Sequence, residues 1–116
     1  MDYTPYLPEI NAEEGIARVM GNSKLYFRLL GKFDGTKMAA DIVNAIEAGD
    51  TRLIIQSAHA LRGTALNLGF PVVQKVTSEI EELAKAEQES SHLTEPLNNA
   101  VTALMGSIEK LLEDNQ

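Results

Sequence analysis

The segment Gly49-Asp50-Thr51-Arg52-Leu53-Ile54-Ile55-Gln56-Ser57-Ala58-His59-Ala60-Leu61-Arg62-Gly63-Thr64-Ala65-Leu66-Asn67-Leu68-Gly69-Phe70-Pro71 is a helical pattern enclosed by two chain reversals. Gly49 suits a helix C-cap and Asp50 an N-cap, so the first reversal needs nothing beyond them. Gly69 closes the pattern, and Pro71 fits the first turn of the helix that follows. Helices joined by connections this short lie antiparallel. The segment therefore predicts a helix from Thr51 to about Leu68, with an antiparallel neighbour on each side.

Beyond the second reversal, Val72, Val73, Val76, Ile80 and Leu83 recur at helical intervals, which outweighs the strand preference of the three valines. Residues Glu87 to Ser91 read as a polar loop, Thr94 as the cap of a last helix and Pro96 as part of its first turn. Leu97, Val101, Leu104, Met105, Ile108, Leu111 and Leu112 give that helix its apolar face. Glu113-Asp114 oppose the helix dipole at its end and predict fraying there. Before the first reversal, Leu25, Tyr26, Leu29, Leu30 and Phe33 share a period with Met38, Ile42, Val43 and Ile46. That continuity favours one long helix, capped by Asn22 and reaching about Ala48 with a bend near Gly35, over a helical hairpin. Asn11 and Glu14 form a capping pair for a short leading helix that Gly21-Asn22 ends. Residues 1–10 have no period and read as a leader or linker, leaving 11–116 as one domain. The fold expected is all-α: an antiparallel up-down-up-down four-helix bundle with a short additional N-terminal helix.

Composition narrows the function. With 116 residues, 44% of them apolar and only 5% aromatic, the chain builds one core, chiefly from aliphatic side chains, and leaves little room for a deep cleft. Its net charge is −7, and its ten Lys and Arg are scattered, which argues against nucleic-acid binding. The absence of cysteine excludes disulfides, thiolate metal sites and thiol catalysis. No apolar run is long enough for a membrane span, and the start lacks the pattern of a signal peptide. The expected location is therefore cytoplasmic, with no membrane contact by this domain.

On a wheel of about 100° per residue, Ile54, Ser57, Leu61, Ala65 and Leu68 lie opposite His59, with Leu53, Ala58 and Thr64 toward the borders. His59 thus projects outward, accompanied by Arg52, Ile55, Gln56, Arg62, Gly63 and Leu66. Ile55 and Leu66 are apolar residues on an outward face; either a neighbouring helix covers one of them or they form a docking patch with Arg52 and Gln56. Gly63 costs helix stability unless empty space is needed there, either beside His59 or for close helix packing. A neutral imidazole has a nucleophilic nitrogen, and Arg62 one turn away supplies N–H donors for phosphoryl oxygens. The combination suits transient carriage of a phosphoryl group on His59. Competing chemistries are weaker. The other histidine, His92, falls in a distant loop, no Asp or Glu lies near His59 along the chain, and Ser57 is across the helix. Glu81-Glu82 do not form an acid–base pair on this reading, and Asn67 serves the backbone around Gly69.

The run from Ala58-His59-Ala60-Leu61-Arg62-Gly63-Thr64-Ala65 to Asn67-Leu68-Gly69, with the flanking helical spacing, resembles histidine-containing phosphotransfer domains over most of the chain. The resemblance implies a four-helix bundle in which His59 accepts a phosphoryl group from an aspartyl phosphate on a receiver domain and passes it to another receiver, reversibly. It implies response-regulator receivers as partners, a hybrid sensor kinase as a further candidate, no kinase site and no cofactor in this chain, and Mg²⁺ on the receiver. Arg62 stands where the family usually has Lys, Gly63 matches the family glycine, and Phe70 replaces a commonly small residue. The alternative function is a non-catalytic helical adaptor or receiver-binding protein, for which His59 would be replaceable.

Overall fold

Four side-chain caps and two left-handed glycines fix the starts of the first four α-helices and the ends of two of them. The structure is a computed structural model that describes residues 2–115. Its helices are α1 (Ala12–Arg18), α2 (Ser23–Lys32), α3 (Gly35–Ala48), α4 (Thr51–Leu68), α5 (Pro71–Lys85) and α6 (Thr94–Asp114). No strand occurs among the described residues. Asn11, Asn22, Asp34 and Asp50 each accept the backbone N–H three residues on, opening α1 to α4. Gly49 (φ 65°) and Gly69 (φ 80°) take the left-handed conformation that ends α3 and α4. Pro71 is the first residue of α5, where its missing N–H costs nothing.

The single long helix expected from Asn22 to Ala48 is instead two helices. Phe33 adopts an extended conformation (ψ 120°), and Asp34 caps a new helix through the Lys37 N–H at 3.1 Å. The cause is Phe33 itself, which turns inward to pack against Phe70 with ring centroids 5.0 Å apart. Gly35 permits this, since a Cβ there would lie 2.7 Å from the Phe33 ring. The apolar period survives the break because both helices present their faces to the same core.

Helices α3, α4, α5 and α6 form the antiparallel bundle, each packed on its two neighbours in the order α3–α4–α5–α6–α3. Ile42, Ala45, Ala58, Leu61, Ala65, Ile80, Leu104 and Leu111 are fully buried within it. Helix α2 lies against α6 and α1, and α1 lies against α4. The first ten residues include a 3-10 turn (Thr4–Tyr6) and bury Tyr6 and Ile10. A second 3-10 turn, Ser91–Leu93, leads directly into α6, so Thr94 is the first residue of that helix and not its N-cap. At the far end α6 stays helical through Asp114, where fraying was expected; the Asp114 carboxylate accepts a 2.5 Å hydrogen bond from the Tyr6 hydroxyl.

The end of α4 is tied down from the N-terminal side. The Asn11 N–H donates to the Gly69 carbonyl at 2.7 Å, and the fully buried Tyr26 hydroxyl donates to the Leu68 carbonyl at 2.6 Å. Because its N–H is used in this way, Asn11 caps α1 without the reciprocal half of the capping pair, and Glu14 meets its side chain at 3.4 Å. A side chain at position 69 would collide with the Asn11 carbonyl, so this junction requires glycine sterically as well as conformationally.

Candidate functional site

Helix α4 buries Ile54, Ala58, Leu61, Ala65 and Leu68, the face opposite His59. The His59 side chain is 63% exposed, as the wheel predicts. Leu53 departs from the borderline place the wheel gives it and is 45% exposed. Arg62 follows one turn on and is about two-thirds buried. Gly63 has open space where a Cβ would stand, so close helix packing is not what requires a glycine there.

The unexpected member is Glu81 on α5. Its carboxylate, with only 5% of the side chain exposed, faces α4 across the bundle surface. Oε1 accepts from Arg62 Nε at 2.7 Å. Oε2 lies 3.0 Å from His59 Nδ1 and 3.2 Å from Lys85 Nζ. An Arg62 terminal nitrogen also stands 3.0 Å from the same Nδ1. Burial pushes the Glu81 carboxyl up, but hydrogen bonds from Lys85, His59 and Arg62, with the Arg62 charge, more than offset it and hold it below its ordinary value. An ionised carboxylate therefore backs the imidazole on its Nδ1 side. Nε2 has no protein partner among the described residues, on a ring whose side chain is 63% exposed.

Glu81 and Lys85 were not legible from the pattern around His59, because they stand on α5 and no acid lies near the histidine on its own helix. The signal lay in the turn. His59 stands eleven residues before Phe70 (70 − 59) and Glu81 eleven after it (81 − 70), so an antiparallel pair reversing at Phe70 puts both at one level. As expected, Glu81 and Glu82 form no acid–base pair: Glu82 is exposed, and Glu81 meets His59, Arg62 and Lys85 instead.

The remaining candidates divide. Arg52 and Gln56 are exposed on the His59 side of α4. Ile55 is half-buried and packs against the core, so a neighbouring helix covers part of it, whereas Leu66 is half-buried on the outward face. Thr64 returns its hydroxyl to the Ala60 carbonyl at 3.1 Å. Asn67 does not serve the backbone near Gly69, where the Gly69 and Phe70 N–H groups both donate to the Ala65 carbonyl. Together with Leu29, Lys32, Phe33, Thr64 and Leu68, Asn67 lines a mainly apolar groove between α2 and α4. The groove runs along the flank of α4 away from α5, and sequence reasoning did not identify it. His92 is exposed in the turn before α6, outside this cluster.

This arrangement can hold a neutral imidazole with one nitrogen fixed and the other presented to a visitor. Among known families, the model of the Hpt domain matches residues 34–114, from the Asp34 cap of α3 to the last residue of α6. No characterised protein and no solved structure is similar enough to match. Helices α1 and α2 precede the matched segment. No helix among the described residues is long and apolar enough to cross a membrane.

Proposed function

The chain belongs to the Hpt domain family, whose role is histidine phosphotransfer with receiver domains in phosphorelays, and we propose that His59 is the residue that carries the phosphoryl group. The observation that supports this most is the exposed imidazole whose Nδ1 faces the buried Glu81 carboxylate at 3.0 Å while Nε2 is free. In the reactive form Nδ1 carries the proton and donates it to Oε2, which leaves the lone pair on Nε2. That pair attacks the phosphorus of an aspartyl phosphate in line. The N–P bond forms, the P–O bond breaks, and its electrons return to the receiver's carboxylate.

The proton stays on Nδ1, so the ring becomes a phosphorylated imidazolium. Its positive charge is offset by Glu81, and the reverse step passes the group to a second receiver aspartate by the same path. Arg62, with terminal N–H groups near the ring, contacts the phosphoryl oxygens during transfer. Gly63 leaves the receiver room to approach. Arg52, Gln56, Ile55 and Leu66, and the groove beside Phe33, form the docking surface. The chain supplies no kinase chemistry; Mg²⁺ arrives on the receiver, and a hybrid sensor kinase is a candidate upstream partner. The setting is cytoplasmic.

Mixing the purified protein with a phosphorylated receiver and Mg²⁺ tests the assignment. Acid-labile phosphate is expected on His59, and His59→Gln is expected to abolish it while helical content by circular dichroism is unchanged. Label on His92, or label that survives His59→Gln, rules the assignment out. A receiver that binds with equal affinity to both proteins and labels neither identifies the adaptor function instead.

A further inference from the structure

Two groups claim the same ring nitrogen. His59 Nδ1 lies 3.0 Å from Glu81 Oε2, an acceptor only, and 3.0 Å from an Arg62 terminal nitrogen, a donor only. A neutral imidazole has one N–H and one lone pair, so Nδ1 can satisfy one of these neighbours and must oppose the other. With the proton on Nδ1, the ring donates to Glu81 and Nε2 is nucleophilic, but two N–H groups confront each other at Arg62. With the proton on Nε2, Arg62 donates to Nδ1, and the nitrogen that should react has no lone pair to offer.

The surrounding bonds weight this contest toward Arg62. Glu81 has other donors for both oxygens, Arg62 Nε on Oε1 and Lys85 Nζ on Oε2 at 3.2 Å, so it remains paired without the ring. The Arg62 terminal nitrogen has no protein acceptor other than Nδ1 among the described residues. The planar fork matters here: Nε anchors on Oε1 at 2.7 Å and thereby holds the terminal nitrogen over the ring. A lysine has one flexible ammonium nitrogen in place of this fork, so it cannot anchor on Oε1 through one nitrogen while a second is held over the ring.

We propose that Arg62 is a positioning residue that biases His59 toward the Nε2–H tautomer, holding the ring in its less reactive form until the guanidinium is drawn elsewhere. A dianionic phosphoryl group arriving beside the ring offers the guanidinium a stronger acceptor than a neutral nitrogen. Once Arg62 turns to it, the proton relocates through water from Nε2 to Nδ1, is accepted by Glu81, and frees the attacking lone pair. Nothing is oxidised or reduced, and the ring stays neutral until the N–P bond forms. The proposal rests on the reading of His59 as phosphoryl acceptor, which makes the tautomer matter, but the bias itself exists in the protein alone.

Two-bond ¹H–¹⁵N correlation spectra of the histidine-labelled full chain read the tautomer of the neutral ring directly, with His92→Gln identifying the other ring. Arg62→Lys and Arg62→Met are both expected to raise the ratio of Nδ1–H to Nε2–H forms by about tenfold, the worth of one charge-assisted hydrogen bond. An unchanged ratio in both variants at preserved helical content, a shift the other way, or a wild-type ring already wholly Nδ1–H overturns the proposal. No receiver is needed for this measurement. A ratio that moves while no receiver labels His59 retains Arg62's role and removes the relay reading; labelling without movement does the reverse.

Discussion

A carboxylate that keeps only 5% of its side chain in contact with water loses most of its hydration and must be compensated locally. At Glu81 the compensation comes from Arg62 and Lys85, joined by the His59 ring when Nδ1 carries the proton. Glu81→Gln removes the charge and leaves these donors weaker acceptors, so a loss of about 1–3 kcal/mol is expected in urea denaturation. Folding holds this carboxyl below its ordinary value of 4.5, so the stabilisation is complete above that pH and fades as pH falls through the folded value. The wild type should therefore lose stability on acidification more steeply than Glu81→Gln; superimposable pH profiles would contradict the pairing. Gly63 separates stability from function at the same scale. With open space around its missing Cβ, Gly63→Leu should stabilise α4 by up to about 1 kcal/mol in thermal unfolding and yet slow phosphotransfer. Transfer at the wild-type rate would show that the receiver approaches from another direction.

At the scale of elements, what the sequence disclosed was whatever a single helix can disclose alone. The caps Asn11, Asn22 and Asp50, the closing glycines 49 and 69, and the outward azimuth of His59 depend on neighbours within a turn, and all were legible. The break at Phe33-Asp34 was not, because it depends on a ring 37 residues away (70 − 33), and periodicity does not register that Phe33 leaves its helix to reach Phe70. Glu81 was hidden for the same reason: its partners lie on another helix, and only the register about Phe70 connects them. The α2–α3 junction can be tested as a cap. Asp34→Ala should cost about 1 kcal/mol by chemical denaturation, since the Lys37 N–H loses its acceptor. A change within a few tenths would mean that the Phe33–Phe70 contact alone defines the junction.

For the molecule as a whole, the N-terminal segment is tied to the end of the bundle where α4 and α6 both terminate. There Tyr6 meets Asp114, and Asn11 and Tyr26 hold the last turn of α4. The hydrogen bond to Asp114, with burial and the neighbouring charge adding to it, pushes the Tyr6 phenol up to about 12 from 10.0. The stabilisation from that contact is thus full below pH 10 and disappears as pH rises toward about 12. Tyr6→Phe is expected to flatten the alkaline limb of the stability profile over that interval while leaving the acid limb alone. An alkaline limb identical in the two proteins would show that the contact does not persist in solution.

The Hpt match opens at Asp34, yet the groups that complete α4 come from before it. A gene fragment trimmed to the matched residues would leave the carbonyls of Leu68 and Gly69 without their donors and bare the side of Phe70 that Phe33 covers. Cloning boundaries drawn from family similarity would amputate the brace of the helix that bears the imidazole, so a misbehaving minimal fragment would report on the scissors and not on the relay.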